Sequence, residues 1–389
     1  VVKTPRLTLR FTRLRLRNWR NFDQVDVQLG ERAFFVGANA SGKSNLLDVI
    51  RFLSELARPG TGGLQGAIAE RGEFSSLRNL NARNPSAIVI DVDIGTTEVP
   101  RRWNYYLRIN TLGIEKIATV LEERVVENDA IVIERKRSSA DEAFLFTQSY
   151  LEQAQISAKF RDLTEFLGSC RYLHVVPQIV RERERGRSKG EDPYGGDLLR
   201  RMKDVPEKTR GPRLKRISNG LRIAVPQFQE LELLDDKEGV PHLYASYGHW
   251  RPKVSKQPER LFSDGTLRLI GLLWSISERG GPLLLEEPEL SLNDAVVSQL
   301  PQMFLTMQAM SHRQVLATTH SSALLDDEGI GLGEVHVIIA NSKGSTVETA
   351  LSNARVVAQV DGGMTVGQAI LPLLRPPGVE GLGKAALIG

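Results

Sequence analysis

Apolar and polar residues alternate near the start of the chain, where Leu14, Leu16 and Trp19 interleave with Arg13, Arg15 and Arg17. A period of two marks a strand with one buried face. Phe11, Leu14 and Leu16, then Val25, Val27 and Leu29, then Ala33 to Val36 predict two or three short strands over residues 9–36. The period then changes: Leu46, Leu47, Ile50, Leu53 and Leu56 recur at helical spacing, and Pro59-Gly60 stops the helix. Strand patterns return at 88–94, 103–109, 117–122 and 130–134, with turns at Gly95, Gly113 and Asn128-Asp129. This run predicts an antiparallel sheet. Residues 145–168 read as helical, Tyr172 to Val176 as a buried strand ending at Pro177-Gln178, and 195–225 as mainly helical. Further on come a helix over 266–275 and apolar strands at 283–285, 315–317, 335–340 and 346–349.

At 389 residues the chain exceeds a typical single domain, which predicts two lobes or one domain with a large insertion. Hydrophobic residues at 41% and charged residues at 25% suit a soluble globular protein, and no apolar run has the length of a membrane span. The single cysteine, Cys170, rules out an intrachain disulfide framework and points to a reducing, cytoplasmic setting. The Arg-rich beginning shares its composition with transit peptides, but the alternation reads as a strand.

A net charge of +4 says little about nucleic acid, so the placement of charge matters more. The alternating signs of 181–189 read as a solvated loop or linker. Arg200, Arg201, Lys203, Lys208, Arg210, Arg213, Lys215, Arg216 and Arg222 form a denser basic cluster. Either DNA or an acidic protein would suit it, and the lack of interleaved aromatics argues against base stacking. The tail after 350 reads as too short and acid-poor for a metal-dependent nuclease domain, and no heptad run is long enough for coiled-coil arms.

The chemistry concentrates in four stretches. Gly37-Ala-Asn-Ala-Ser-Gly-Lys-Ser44 follows a predicted strand and opens a helix, the setting of a phosphate loop. Its backbone N–H groups and the helix dipole favour phosphate oxygens. Gly37, Asn39, Ser41, Gly42, Lys43, Ser44 and Asn45 are the candidate nucleotide contacts. Lys43 is expected to reach the β- and γ-phosphates of ATP, and Ser44 to offer its hydroxyl to Mg²⁺.

Leu283-Leu-Leu-Glu-Glu-Pro-Glu289 places two carboxylates at the end of a buried strand, where ligands bind in α/β sheets. Glu286 is expected to hold Mg²⁺, and Glu287 to polarise the water that attacks the γ-phosphate. His320, at the end of the next apolar strand, is a candidate sensor of that phosphate. Ser263-Asp264-Gly265 opens a helix and reads either as an N-cap or as a second anion site. One chain cannot easily fold both anion sites onto one phosphate, so the second reading implies a two-fold homodimer.

These residues together resemble the ABC-type ATPases of the RecF and SMC class, and most closely the small standalone bacterial ATPases labelled AAA-family. The similarity lies in Leu14 to Phe22, in Val36 to Asn45, in Phe262-Ser-Asp-Gly-Thr-Leu-Arg268 as a signature motif, in Leu285 to Glu289, and in Thr318-Thr-His-Ser321. It implies an α/β fold: a P-loop ABC-type ATPase head with a mixed central sheet, a flanking antiparallel β-sheet and a helical lobe.

On this pattern 1–180 form the nucleotide-binding lobe, 181–280 a helical insert ending in the signature helix, 281–350 the rest of the core and 351–389 a tail. The resemblance further implies Mg-ATP-dependent dimerisation across Ser263 and Gly265, with hydrolysis as a switch in DNA maintenance or antiphage defence. The alternatives are a low-turnover scaffold holding a separate effector and the ATPase subunit of a transporter. Leu292-Asn293-Asp294 departs from the family's usual Leu-His-Pro. By position, Gln178 matches the glutamine that links the lobes and joins the metal, and a plain surface glutamine is the other reading.

Overall fold

In the computed structural model, residues 9–82, 86–112, 117–138, 141–182, 191–248, 256–342, 344–375, 378–381 and 383 are described. Of the polar stretch expected as a loop at 181–189, residues 183–189 lie outside them, and Arg181 ends the short helix Pro177–Arg181. The chain divides into two compact units: Val1–Arg171 with Gly280–Leu284 and His312–Gly389, and Tyr172–Arg279 with Leu285–Ser311.

The first unit holds an antiparallel sheet of β1 (Arg10–Trp19), β2 (Phe22–Gln28), β4 (Ile88–Gly95), β5 (Trp103–Leu112), β6 (Ile117–Glu127) and β7 (Ala130–Lys136), in the order β2-β1-β4-β5-β6-β7. Leu14, Leu16, Ile90, Val92, Tyr105 and Leu107 fill its buried face. Charge pairs cover the other: Arg13 bonds Asp26 at 2.6 Å, and Arg15 bonds both Asp91 and Asp93 at 2.8 Å. The arginine–leucine alternation of β1 is thus the two faces of one strand.

The central sheet includes β3 (Arg32–Gly37), β8 (Arg171–Leu173), β12 (Leu283–Glu286), β13 (Val315–Thr319), β14 (Val335–Asn341) and β15 (Gly344–Thr349), ordered β15-β14-β3-β13-β12-β8. It is mixed: β13 and β14 run parallel to β3, whereas β15 is antiparallel to β14. Ala33, Phe34, Phe35 and Val36 are fully buried, as expected for a parallel strand covered on both faces. The helix Lys43–Ala57 follows β3 and buries Leu46, Leu47, Ile50, Leu53 and Leu56.

Two expectations fail locally. Of the helix predicted over 145–168, the segment 147–153 is a turn. Glu123 on β6 is fully buried and needs donors, and it takes them from Tyr105 Oη at 2.8 Å, Ser149 Oγ at 2.7 Å and the Tyr150 N–H at 2.9 Å. Satisfying that carboxylate outweighs helix propensity. The strand predicted to reach Val176 stops at Leu173, because the N–H groups of His174 and Val176 turn to the carbonyls of Pro193 and Tyr194, at 2.8 and 2.9 Å.

The second unit contains the helices Leu198–Asp204, Glu207–Ala224 and Asp264–Ser277. It also has a sheet absent from the sequence reading, β11 (Lys256–Pro258), β10 (Pro241–Tyr247) and β9 (Phe228–Asp235), in the order β11-β10-β9. Leu214, Ile217, Leu221, Leu231, Leu243 and Trp274 supply its buried apolar side chains.

Candidate functional site

Of the predicted residues, Gly37, Asn39, Ser41, Gly42, Lys43, Ser44, Asn45 and His320 fall in the first unit. Gln178, Ser263, Gly265, Glu286 and Glu287 fall in the second.

In the first unit, β3 ends at Gly37 and the loop turns through Ala40 at φ 61° and Gly42 at φ 107° before the helix begins at Lys43. The left-handed conformation favours glycine at position 42. A Cβ on Gly37 would meet the Ser41 side chain and would lie 2.6 Å from the Ile338 carbonyl. The loop backbone is therefore shaped by small residues where a phosphate would rest.

Lys43 is buried, and its ammonium donates to the carbonyls of Gly37 at 3.0 Å and Ala38 at 3.3 Å. The cation thus points into the loop. Ser41 Oγ is buried with no partner among the described residues, which leaves a hydroxyl for a ligand. Asn39 and Ser44 are exposed, and Asn45 is half-buried. These donors and glycines fit the triphosphate of a nucleotide.

The β1–β2 turn braces this loop, a role that no local motif signals. Asn21 Nδ2 donates to the Ser41 carbonyl at 2.7 Å, and Asn45 Nδ2 donates to Asn21 Oδ1 at 2.7 Å. Trp19 Nε1 bonds the Asn45 carbonyl at 2.8 Å. Arg20 bonds Asp48 one turn farther along the helix at 2.8 Å. Arg71, almost fully buried, bonds the same Asp48 at 2.8 Å and also pairs with Glu55. Burial works against the Arg71 charge, but Asp48 and Glu55 more than restore it and raise its pKa. His320 follows β13, whose Thr319 stands opposite Val36 of β3.

In the second unit, Glu286 ends the strand and Glu287 takes φ 44°, so the chain bends sharply between two half-buried carboxylates. Mg²⁺ is a hard cation that takes oxygen ligands and keeps several waters, so the Ser44 hydroxyl and the Glu286 carboxylate are donors of a suitable kind. His174 Nδ1 lies 3.3 Å from the Glu286 carbonyl, and burial lowers its pKa. It belongs with the acidic pair, although sequence gave no sign of it.

Ser263 caps the Asp264–Ser277 helix, its Oγ accepting from the Thr266 N–H at 3.2 Å. Gly265 has a packing reason for being glycine, since a Cβ there would strike the Ser291 carbonyl. Asn293, where the resemblance expects histidine, caps the next short helix by accepting from Ala295 N–H at 2.9 Å. Gln178 lies on the short helix Pro177–Arg181, with its Nε2 3.5 Å from Asp264 Oδ2.

The basic cluster is thinner than its sequence suggests. Arg201 lies 3.4 Å from both Asp197 and Glu278, Lys203 pairs with Asp235 at 3.0 Å, and Arg210 pairs with Glu207. Arg213 lies over the Trp274 ring at 5.5 Å, and Arg222 bonds the Gln229 carbonyl at 2.7 Å. Lys208, Lys215, Arg216 and Arg222 are exposed on the Glu207–Ala224 helix.

Residues 32–326, more than half of the chain, match the family described as "AAA domain, putative AbiEii toxin, Type IV TA system". The chain belongs to this family. Among solved structures it is similar to an SMC head bound to the C-winged helix domain of ScpA, with a TM-score of 0.50 and 14% identity over 87% of this chain and 97% of that one. It is also similar to an SMC head from Thermotoga maritima, with a TM-score of 0.42 and 13% identity over 87% and 98%. A third is the Pyrococcus furiosus SMC head bound to the C-terminal domain of ScpA, with a TM-score of 0.49 and 14% identity over 91% and 100%. Comparison with curated proteins gives no match.

The fold is thus that of an ABC-type, SMC-like ATPase head. Among the described residues, no helix is long and apolar enough to cross a membrane.

Proposed function

We propose that the chain is an Mg-ATP-dependent ATPase that dimerises head-to-tail on ATP and uses hydrolysis as a conformational switch. The observation that carries this reading is the loop after β3, where the buried Lys43 ammonium bonds the carbonyls of Gly37 and Ala38 from inside the turn. Nucleotide would draw Lys43 from those carbonyls to phosphate oxygens, exchanging neutral acceptors for charged ones. Bound Mg²⁺ would offset the charge of the phosphates. Ser44 would offer its hydroxyl to that ion and Glu286 its carboxylate. Glu287 takes the proton of the attacking water, and His320 donates to the γ-phosphate. Ser263 and the N–H groups of the turn at Gly265 serve the phosphate held by a second copy.

DNA maintenance or antiphage defence are the settings this switch suits, with DNA or a protein effector as the partner. The family description, which includes a toxin system, supports the second setting.

The test compares wild type, Lys43→Ala and Glu287→Gln for ATP binding, phosphate release and mass in solution. Lys43→Ala is expected to lose binding. Glu287→Gln is expected to bind ATP, to lose turnover by about 10²–10⁴-fold, as for removal of a general base, and to accumulate as a dimer. Equal turnover in wild type and Glu287→Gln would sink the role given to Glu287.

A further inference from the structure

The turn that is to receive a phosphate from a second copy carries a carboxylate. Asp264 follows the Ser263 cap and opens the helix, where the first N–H groups have no carbonyl partner within the helix. An uncompensated negative charge at that point would repel a phosphate and undo what the N–H groups offer.

The second unit meets this charge directly. Arg181 Nη2 donates to Asp264 Oδ1 at 2.6 Å and to the Phe262 carbonyl at 2.7 Å. Gln178, three residues earlier on the same short helix, brings its amide to 3.5 Å from Asp264 Oδ2. Residues three apart share a helix face, so Pro177–Arg181 presents both side chains to one carboxylate. Arg268, one turn along the helix from Asp264, adds a second positive charge that also senses Glu287.

We infer that Arg181 is a positioning residue that renders the Ser263–Gly265 turn able to accept a phosphate. It does so by cancelling the charge of Asp264 and by fixing the Phe262 carbonyl one residue before the cap. The inference rests on the head-to-tail reading given above and adds the device that makes the turn electrically compatible with it. The helix that carries Gln178 thereby acts on the turn through Asp264, and any movement of Pro177–Arg181 would uncover the carboxylate.

The test uses full-length Glu287→Gln as the background in which the ATP-bound dimer accumulates. Arg181→Ala, Arg181→Lys, Asp264→Asn and the pair Arg181→Ala/Asp264→Asn are added to it. A fluorescent ATP analogue measures binding, and mass in solution with Mg-ATP measures self-association. Arg181→Ala is expected to keep nucleotide affinity within about twofold and to weaken dimerisation by about tenfold or more, the effect of a lost charge-assisted bond. Arg181→Lys should fall between the two. Asp264→Asn alone should dimerise at least as well as its parent, and adding it to Arg181→Ala should restore most of the loss.

A merely structural role for Arg181 would not be rescued by removing the charge of Asp264. A double variant as weak as Arg181→Ala, or an Arg181→Ala that dimerises like its parent, overturns the inference. Nucleotide binding by Arg181→Ala establishes that the chain has folded; loss of binding in Arg181→Ala and in the pair alike counts against it as well. Failure of Glu287→Gln itself to dimerise with Mg-ATP would instead reject the head-to-tail reading and this inference with it.

Discussion

The side-chain amide of Asn21 donates at 2.7 Å to the carbonyl of Ser41, tying the β1–β2 turn to the phosphate loop. The same amide donates to Ser345 Oγ at 2.8 Å and accepts from Asn45 at 2.7 Å, so one residue fastens three segments. Asn21→Ala removes all three bonds. The expected result is a loss of nucleotide affinity of about tenfold, on the scale of one or two hydrogen bonds, together with a lower melting temperature. Asn21→Asp keeps the acceptor but loses the donors, and should fall with it. Titration with a fluorescent nucleotide decides the matter; unchanged affinity in both variants would uncouple the turn from the loop.

The two structured glycines of the loop give a second expectation. Gly42 sits at φ 107°, and a Cβ there would meet the Asn21 amide; a Cβ on Gly37 would meet the Ser41 side chain. Alanine should cost about 1–3 kcal/mol at either position, from backbone strain at Gly42 and from overpacking at Gly37, and displace the backbone N–H groups. Each variant should still unfold cooperatively while losing ATP binding. A Gly37→Ala protein that binds ATP like wild type would contradict the packing described.

How much of this was legible in the sequence depends on how far apart the cooperating residues lie. The glycine loop at 37–44, the Glu286-Glu287 pair and the Ser263 turn are each contiguous, so spacing alone brings them out as candidates. Asn21 acts across 20 positions, Arg181 across 83 and His174 across 112, and no local pattern joins such partners. The strands of the first unit were readable because buried and charged faces alternate along them. β9 was not: in Phe228–Asp235 only Phe228 and Leu231 are buried, three residues apart, which is no strand period. The helix expected over 145–168 fails at 147–153 for another reason, the demand of the buried Glu123 for donors, while 154–168 is helical.

His336 provides a pH dependence with a definite sign. It is fully buried on β14 against the Phe35 ring, centroids 5.3 Å apart, and neither ring nitrogen has a partner among the described residues. Burial pushes its pKa down from 6.5 to about 4. The folded chain therefore keeps it neutral while the unfolded chain takes up a proton below pH 6.5. Stability is full above that value and falls as the pH drops toward 4. The loss amounts to about 3 kcal/mol, the free-energy equivalent of the shift. Denaturant unfolding at pH 7.5 and 4.5 measures it. His336→Phe should flatten this part of the profile, and an equally steep profile in the variant would assign the acid loss to other groups.

The last expectation concerns polyanions. Since Arg201, Lys203, Arg210 and Arg213 are partly covered and engaged by acidic or aromatic partners, the exposed charge of the Glu207–Ala224 helix rests on Lys208, Lys215, Arg216 and Arg222. Lys208 and Lys215 are seven residues apart, so they stand about 10 Å apart along one stripe of the helix. Reversing Lys208, Lys215 and Arg216 to glutamate should weaken duplex DNA binding and, if each faces a phosphate, reduce the slope of log affinity against log salt by about 2–3. Reversing Arg201 instead should chiefly lower stability, because its partners, the buried Asp197 and the largely covered Glu278, would face a like charge. Fluorescence anisotropy across a salt series separates the two groups. Equal affinity and slope in the triple variant would remove this helix as a DNA surface and leave an acidic protein effector as the partner to seek there.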